Sequence, residues 1–245
     1  MSKKGKVLMA MSGGIDSTVA ALMLHKEGYE VVGITMKTWD YASSVGTSGK
    51  KETGCCNLDS FNDARQAAVH HGFPHFILDI REEFGDFVIE NFVEEYLAGR
   101  TPNPCVMCNT HIKWRALLKR ADAMGCDFIA TGHYAQVLQH DNGRYFIRKG
   151  IDDTKDQSYA LWGLQQDLLS RTLLPLGTYH KKEIRQMAHD FGYPELAKKN
   201  ESYEICFVPD NDYRGFLKRK VDGLEERVDG GNFVDKTGKV LGKHK

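Results

Sequence analysis

Val7-Leu8-Met9-Ala10-Met11-Ser12-Gly13-Gly14-Ile15-Asp16-Ser17-Thr18 is the stretch on which the fold turns. A five-residue apolar run with no polar alternation suits a strand covered on both faces. Ser-Gly-Gly then breaks the run, and Thr18 to Glu27 follows a helical period with Val19, Leu22 and Met23 on its inner side. The pattern repeats outward. Glu30 to Met36 reads as a second strand, Leu58 to His71 as a helix, His75 to Asp79 as a strand and Arg81 to Ala98 as a helix. Asn109 to Met124 is a helix packing Trp114, Leu117, Leu118, Ala121 and Met124, and Asp127 to Thr131 is the next strand. Strands alternating with helices imply right-handed crossovers and an α/β, doubly wound, mainly parallel sheet. Asn142-Gly143 predicts a hairpin between 135–139 and 144–147, and His180 to Phe191 is a further helix. After Gly230 a second hairpin pattern begins, the start of a small β domain, and Tyr41 to Gly54 reads as a loop.

Composition narrows the function classes. The 245 residues are 41% apolar and 27% charged, enough to bury a full core. Apolar runs such as Val7 to Met11 fall far short of the roughly 20 residues that cross a bilayer, so no membrane partner is expected. Lysines precede that run, yet no cleavage region follows it, so a secretion signal is not expected either. Six cysteines, two spaced Cys105-x-x-Cys108, look unlike an extracellular disulfide framework and point to redox, metal or sulfur chemistry in a reducing, cytoplasmic setting. Thirty-three basic residues balance thirty-three acidic ones. Locally, Arg100 to Arg120 holds five Lys or Arg and no acid, whereas Arg81 to Tyr96 holds six acids and one base; both also suit solvated helix faces.

The edge where a parallel strand passes into a helix is a ligand site, and a helix N-terminus offers free N–H groups to an anion. Gly13 and Gly14 let the backbone curl around a phosphate, Ser12 and Ser17 add hydroxyls, and Asp16 supplies a carboxylate suited to Mg²⁺. The loop lacks both the Gly-Lys-Ser/Thr ending of a Walker loop and the Gly-x-Gly-x-x-Gly dinucleotide spacing. It resembles the Ser-Gly-Gly-x-Asp-Ser pyrophosphatase loop of enzymes that cleave ATP to AMP and pyrophosphate. That resemblance implies an ATP pyrophosphatase domain of adenine nucleotide alpha-hydrolase type. Ligases acting on small metabolites share the loop, so it leaves the substrate open.

The cysteines narrow the substrate. Gly99-Arg100-Thr101-Pro102-Asn103-Pro104-Cys105-Val106-Met107-Cys108-Asn109 precedes the basic helix, and Cys108, read as lying just before a helix N-terminus beside basic residues, should be drawn toward thiolate. Together with the loop, Gly-Ile-Thr-Met-Lys (33–37), Gly-Cys-Cys (54–56), Ala-Thr-Gly-His-Tyr (130–134), Lys-Asp-Gln-Ser-Tyr (155–159) and Glu-Ile-Cys-Phe (204–207), this segment resembles the tRNA-specific 2-thiouridylase family over nearly the whole chain.

The resemblance implies an ATP-dependent tRNA-uridine 2-sulfurtransferase that adenylates the C2 oxygen of a wobble uridine and replaces it with sulfur. Ala10, Met11, Ser12, Gly13, Gly14, Ile15, Asp16, Ser17, Met36 and Gly132 would contact ATP. Asn103, Pro104 and Cys105 would lie at the target base, and His133, Lys155, Asp156 and Gln157 would meet the tRNA. Alone, Met36 would be read as core, His133 as a satisfied polar residue and 155–157 as a polar turn. In the family's persulfide scheme Cys206 carries the terminal sulfur and Cys108 releases it, leaving a disulfide between them. One position departs from the family pattern, with Cys105 in place of an aspartate. That creates a second route, in which Cys105, Cys108 and Cys206 ligate a [4Fe-4S] cluster; a structural zinc, with Cys55 or Cys56 as a fourth ligand, is the remaining alternative. Implied cofactors and partners are ATP, Mg²⁺, a tRNA with a Lys, Glu or Gln type anticodon, and a sulfur donor such as a cysteine desulfurase or persulfide relay protein. The expected domains are a catalytic unit over 1–208, a helical linker over 209–229 and a truncated β domain over 230–245. The competing expectations are a ligase adenylating a small metabolite and a catalytically incomplete ATP- or tRNA-binding fragment.

Overall fold

A computed structural model describes residues 4–39, 58–199, 205–208, 210–228 and 230–243. The loop expected over Tyr41–Gly54, the Gly-Cys-Cys segment and Glu204 lie outside the described residues. Five strands form one parallel sheet: β1 (Lys6–Ala10), β2 (Glu30–Lys37), β3 (His75–Asp79), β4 (Phe128–Ala130) and β7 (Thr172–Leu173). Their order is β3-β2-β1-β4-β7, with every pairing parallel. The chain therefore winds outward from β1 in one direction and then returns to its other side, which puts the topological switch point between the carboxyl ends of β1 and β4.

The uninterrupted apolar run of β1 is explained by two cores. Val7, Met9 and Val31 face α1 (Ile15–Lys26), α2 (Leu58–His71) and α8 (Lys181–Asp190) in one cluster. Leu8, Val32, Ile34 and Ile129 face Trp114, Leu117 and Ala121 in another. These three belong to α6 (Trp114–Ala123). Helix α1 is buried through nearly its whole circumference, from Ile15 to Leu24, because the sheet, α2 and α8 all pack on it. The inner side expected from Val19, Leu22 and Met23 alone is thus only part of its buried surface.

A third cluster sits beyond the carboxyl ends of β2 and β3. Trp39 and Ile80 join residues of α3 (Arg81–Phe84), a π-helical turn over Gly85–Ile89 and α4 (Glu90–Leu97), which run on as one helix. Phe216, Leu217 and Leu224 enter it from α10 (Tyr213–Lys220) and α11 (Leu224–Val228). Two antiparallel hairpins complete the picture, β5 (Ala135–Gln139) with β6 (Tyr145–Lys149) and β8 (Asn232–Val234) with β9 (Val240–Lys243). Among the described residues no helix is long and apolar enough to cross a membrane.

Trp114 is fully buried and donates its indole N–H to the Thr172 hydroxyl at 2.9 Å, tying α6 to the edge strand β7. Trp114→Ala removes both the packing and that bond, and its expected loss in urea unfolding is about 3–5 kcal/mol. A loss below about 1 kcal/mol would show that this contact does not organise the second core.

Candidate functional site

The loop after β1 is shaped by hydrogen bonds among its own residues. Ser12 N–H donates to Ser17 Oγ at 3.0 Å, the two hydroxyls lie 3.2 Å apart, and Ser17 Oγ–H reaches the Gly14 carbonyl at 3.2 Å. Thr35 of β2 donates to the Met11 carbonyl at 2.7 Å and so fixes where the loop departs. Gly13 has φ +76°, and a Cβ there would stand 2.0 Å from the Ser60 carbonyl oxygen, so only glycine fits. Gly132, just past β4, would carry a Cβ 2.9 Å from the Ser17 amide nitrogen. The β4 turn and the α1 N-terminus therefore touch backbone to backbone at the switch point, where the loop and Gly132 come together, while Met36 of β2 packs against the second and third apolar clusters.

Asp16 has a task that its sequence position did not announce. Both of its oxygens accept from Lys181 Nζ at 2.7 Å, and Tyr134 Oη–H donates to Oδ1 at 2.7 Å. The Lys181 side chain is 9% exposed and that of Asp16 32%, so the pair sits at the inner wall of the site. Lys181 is the first residue of α8, and its backbone N–H donates to Asp152 Oδ2 at 2.8 Å. That amide, together with the Thr154 hydroxyl at 2.6 Å, holds the Asp152 carboxyl below the usual carboxylate range. Asp152 anchors the helix start, and the helix start aims Lys181 at Asp16. Asp16 was expected to hold Mg²⁺; in this structure its carboxylate is engaged by protein cation and phenol. Among the described residues no three His, Cys, Asp or Glu side chains converge as a metal-holding group. Any Mg²⁺ here fits best as a companion of substrate phosphates.

Lys181, Tyr134 and Asp152 are the residues that sequence reasoning missed as a unit. Tyr134 stood in a motif, but no local pattern distinguishes Lys181 from its neighbour Lys182. The partner lies 165 positions away in the chain.

His133 packs its ring on Trp114, with centroids 5.5 Å apart, and pairs Nδ1 with the Thr131 hydroxyl at 2.8 Å. Burial, reinforced by the charge of Lys113, brings its pKa down to about 3, so the imidazole is neutral at physiological pH. Gln157 Oε1 accepts from the Tyr134 N–H at 3.0 Å, and the Gln157 N–H donates back to the Tyr134 carbonyl at 2.9 Å. Asp156 accepts from the Gly150 and Ser158 amides and from the Ser158 hydroxyl. Of the turn expected at RNA, Asp156 and Gln157 thus brace the chain beside Tyr134 through the Asp156 carboxylate and the Gln157 side-chain oxygen.

The thiol segment departs from expectation in one respect. The helix starts at Pro104, with α5 (Pro104–Met107) passing through a π-helical turn over Cys108–Lys113 into α6. Asn103 is the N-cap, its side-chain oxygen accepting from the Val106 N–H at 3.2 Å. Cys108 is therefore a full turn inside a helix and buried, not poised before an N-terminus, while Cys105 is exposed. Reading the prolines as an extended approach hid this; Asn followed by Pro is itself an N-cap and N1 signature. Cys108 and Cys206, 98 residues apart in sequence, both pack in the third apolar cluster. That cluster lies at the same sheet edge as the loop. Among the described residues, exposed Cys105 does not converge with Cys108 and Cys206 as a metal-holding group, so these three as arranged do not fit the [4Fe-4S] alternative; Cys55 and Cys56, the further ligands of the zinc alternative, lie outside the described residues.

A family model described as tRNA methyl transferase HUP domain matches residues 5–210. The chain is 69% identical to the tRNA-specific 2-thiouridylase MnmA of Amoebophilus asiaticus over 242 residues, 99% of this chain and 64% of that protein. It is 69% identical to the protein of the same name from Cytophaga hutchinsonii and 63% identical to that from Salinibacter ruber, covering 66% and 64% of them. The chain thus spans about two-thirds or slightly less of the length of these relatives. A crystal structure of a 4-thiouridine synthetase–RNA complex with bound ATP shares the fold, with a TM-score of 0.53 at 19% identity over 91% of this chain and 52% of that one.

Because the folded-state pKa of His133 lies below the ordinary value of 6.5, unfolding takes up a proton between those limits. Stability is complete above about pH 6.5 and falls as pH drops toward 3, by up to about 1.4 kcal/mol per pH unit from this group. In urea unfolding at several pH values, His133→Asn is expected to flatten that slope, and the His133 imidazole resonances should not titrate between pH 8 and 5. Titration of His133 near pH 6.5 would contradict the neutral, half-buried ring.

Proposed function

This chain belongs to the tRNA methyl transferase HUP domain family as a homologue of the tRNA-specific 2-thiouridylases, and from that premise we propose that it catalyses ATP-dependent 2-thiolation of the wobble uridine of tRNA. The observation that carries the proposal is the gathering of two sequence-distant cysteines in one cluster at the same sheet edge as a phosphate-type loop.

In this reading Ala10 to Ser17, with Met36 and Gly132, receives ATP. The α1 N-terminus and the loop hydroxyls meet the phosphates, Lys181 supplies positive charge at the pyrophosphate end, and Mg²⁺ enters with the nucleotide. The uridine C2 oxygen attacks the α-phosphorus and pyrophosphate leaves, which converts a poor leaving group into AMP. Cys206 holds a persulfide loaded by a donor such as a cysteine desulfurase or relay protein. The Cys108 thiolate attacks Cys206 Sγ, a disulfide forms, and the terminal sulfur departs as hydrosulfide. Hydrosulfide adds to C2 and AMP is expelled; a thiol reductant then cleaves the disulfide. Asn103, Pro104 and Cys105 line the target base, and neutral His133 and Lys155 meet the RNA while Asp156 and Gln157 hold their loop in place. The tRNA would carry a Lys, Glu or Gln type anticodon. Residues 1–208 form the catalytic unit, 209–229 a helical connection and 230–245 a separate β segment, in a cytoplasmic enzyme whose thiols stay reduced between turnovers.

Cys108→Ser and Cys206→Ser are each expected to cut 2-thiouridine formation by more than about 1000-fold while tRNA-stimulated AMP formation persists, read from radiolabelled ATP and from nucleoside chromatography of the product. Turnover stimulated by a small metabolite and not by tRNA would instead place the chain among the ligases that share its loop.

A further inference from the structure

The chain has three tryptophans, and their environments differ sharply. Trp39 is 5% exposed and Trp114 fully buried, whereas Trp162 is 73% exposed, and Tyr159, three residues before it, is 57% exposed. Their neighbours in sequence explain why. Ala160 and Leu161 are buried, and the Ala160 carbonyl accepts from the Asn109 side-chain amide at 3.1 Å, so the backbone between the two rings is pinned to the thiol-bearing helix. Residues 158–160 form a 3₁₀ turn. Hydrogen bonds from Ala160 N to Gln157 O, Leu161 N to Ser158 O and Leu164 N to Leu161 O tie the backbone on either side of Trp162. Two large exposed rings therefore flank a buried, hydrogen-bonded stretch of backbone.

We propose that Tyr159 and Trp162 are a stacking platform for unpaired nucleotides flanking the target base of the RNA substrate. The proposal rests on the tRNA reading above and adds to it a contact surface that neither the loop nor the cysteines provide. Position and charge argue for RNA as the occupant. Helix α5, which carries Cys105, packs against the 3₁₀ turn that carries Tyr159, which makes the platform continuous with the candidate base site. Lys155 stands just before it, and the helix beside it carries Lys113, Arg115, Lys119 and Arg120. Stacking on exposed aromatic rings beside cationic side chains is how single-stranded nucleic acid is held without a base-edge code.

Trp162 is also the reporter for its own test. Wild type, Trp162→Ala and Tyr159→Ala would be titrated with an RNA hairpin bearing a uridine in its unpaired loop and with a blunt duplex of equal length, following intrinsic fluorescence and the anisotropy of labelled RNA. The expected result is saturable quenching of the exposed tryptophan by the hairpin and not by the duplex, with hairpin affinity roughly tenfold weaker in each variant and ATP binding unchanged. Hairpin binding by the wild type with Trp162 unquenched and affinity equal in the variants would overturn the platform and leave the tRNA reading standing. No hairpin binding by the wild type would overturn that reading and the platform with it. Protection of Trp162 from iodide that grows with protein concentration in the absence of RNA would assign the patch to a second copy of the chain and overturn the proposal.

Discussion

The ion pair between Asp16 and Lys181 joins the first helix of the fold to the eighth, and the ligand edge of the sheet depends on it. Its two sides are unequal. Lys181 is nearly buried, so losing Asp16 would strand a charge away from water, at about 3–5 kcal/mol. Asp16 is a third exposed and tolerates the loss of its partner better. The pair is held from behind by Asp152 at the start of α8 and from the side by Tyr134. Tyr134 in turn exchanges backbone and side-chain hydrogen bonds with Gln157. A continuous set of contacts therefore runs from the phosphate loop, through the β4 turn, to the segment that displays Tyr159 and Trp162.

Much of the sheet was legible because its information is local. The apolar run of β1, the glycine break and the repeated strand-helix spacing fix a parallel α/β architecture, and the observed strand order reverses where such a pattern must place its crevice. What was not legible is non-local. The apolar pattern of β3 names a strand but does not say that it lies at the edge of the sheet, with Phe76 and Ile77 about half exposed. The all-round burial of α1 follows from a helix that arrives more than 150 residues later.

The candidate site divides in the same way. The loop from Ala10 to Ser17 announces itself because backbone geometry and sequence coincide there: Gly13 is glycine because a carbonyl fills the space of its side chain. Cys108 was found as a residue but misplaced by one helical turn, since prolines signal an extended approach and a helix start alike, and only the Asn103 cap decides between them. Asp156 and Gln157, identified through family resemblance as RNA contacts, also brace the loop beside Tyr134, a role no local pattern announces. Lys181 carried no signal, because an ion pair between distant segments leaves no pattern in either one.

The central claim is that the loop, Lys181 and the α1 N-terminus act as one anion-receiving edge. Calorimetric titration of MgATP into the wild type and into Lys181→Met tests it most directly. The account predicts at least about a tenfold loss of affinity in the variant, because the near-buried cation proposed to face the phosphates is replaced by an apolar chain. Equal affinity in the two proteins, with the variant folded, would contradict it and reduce the pair to a structural tie.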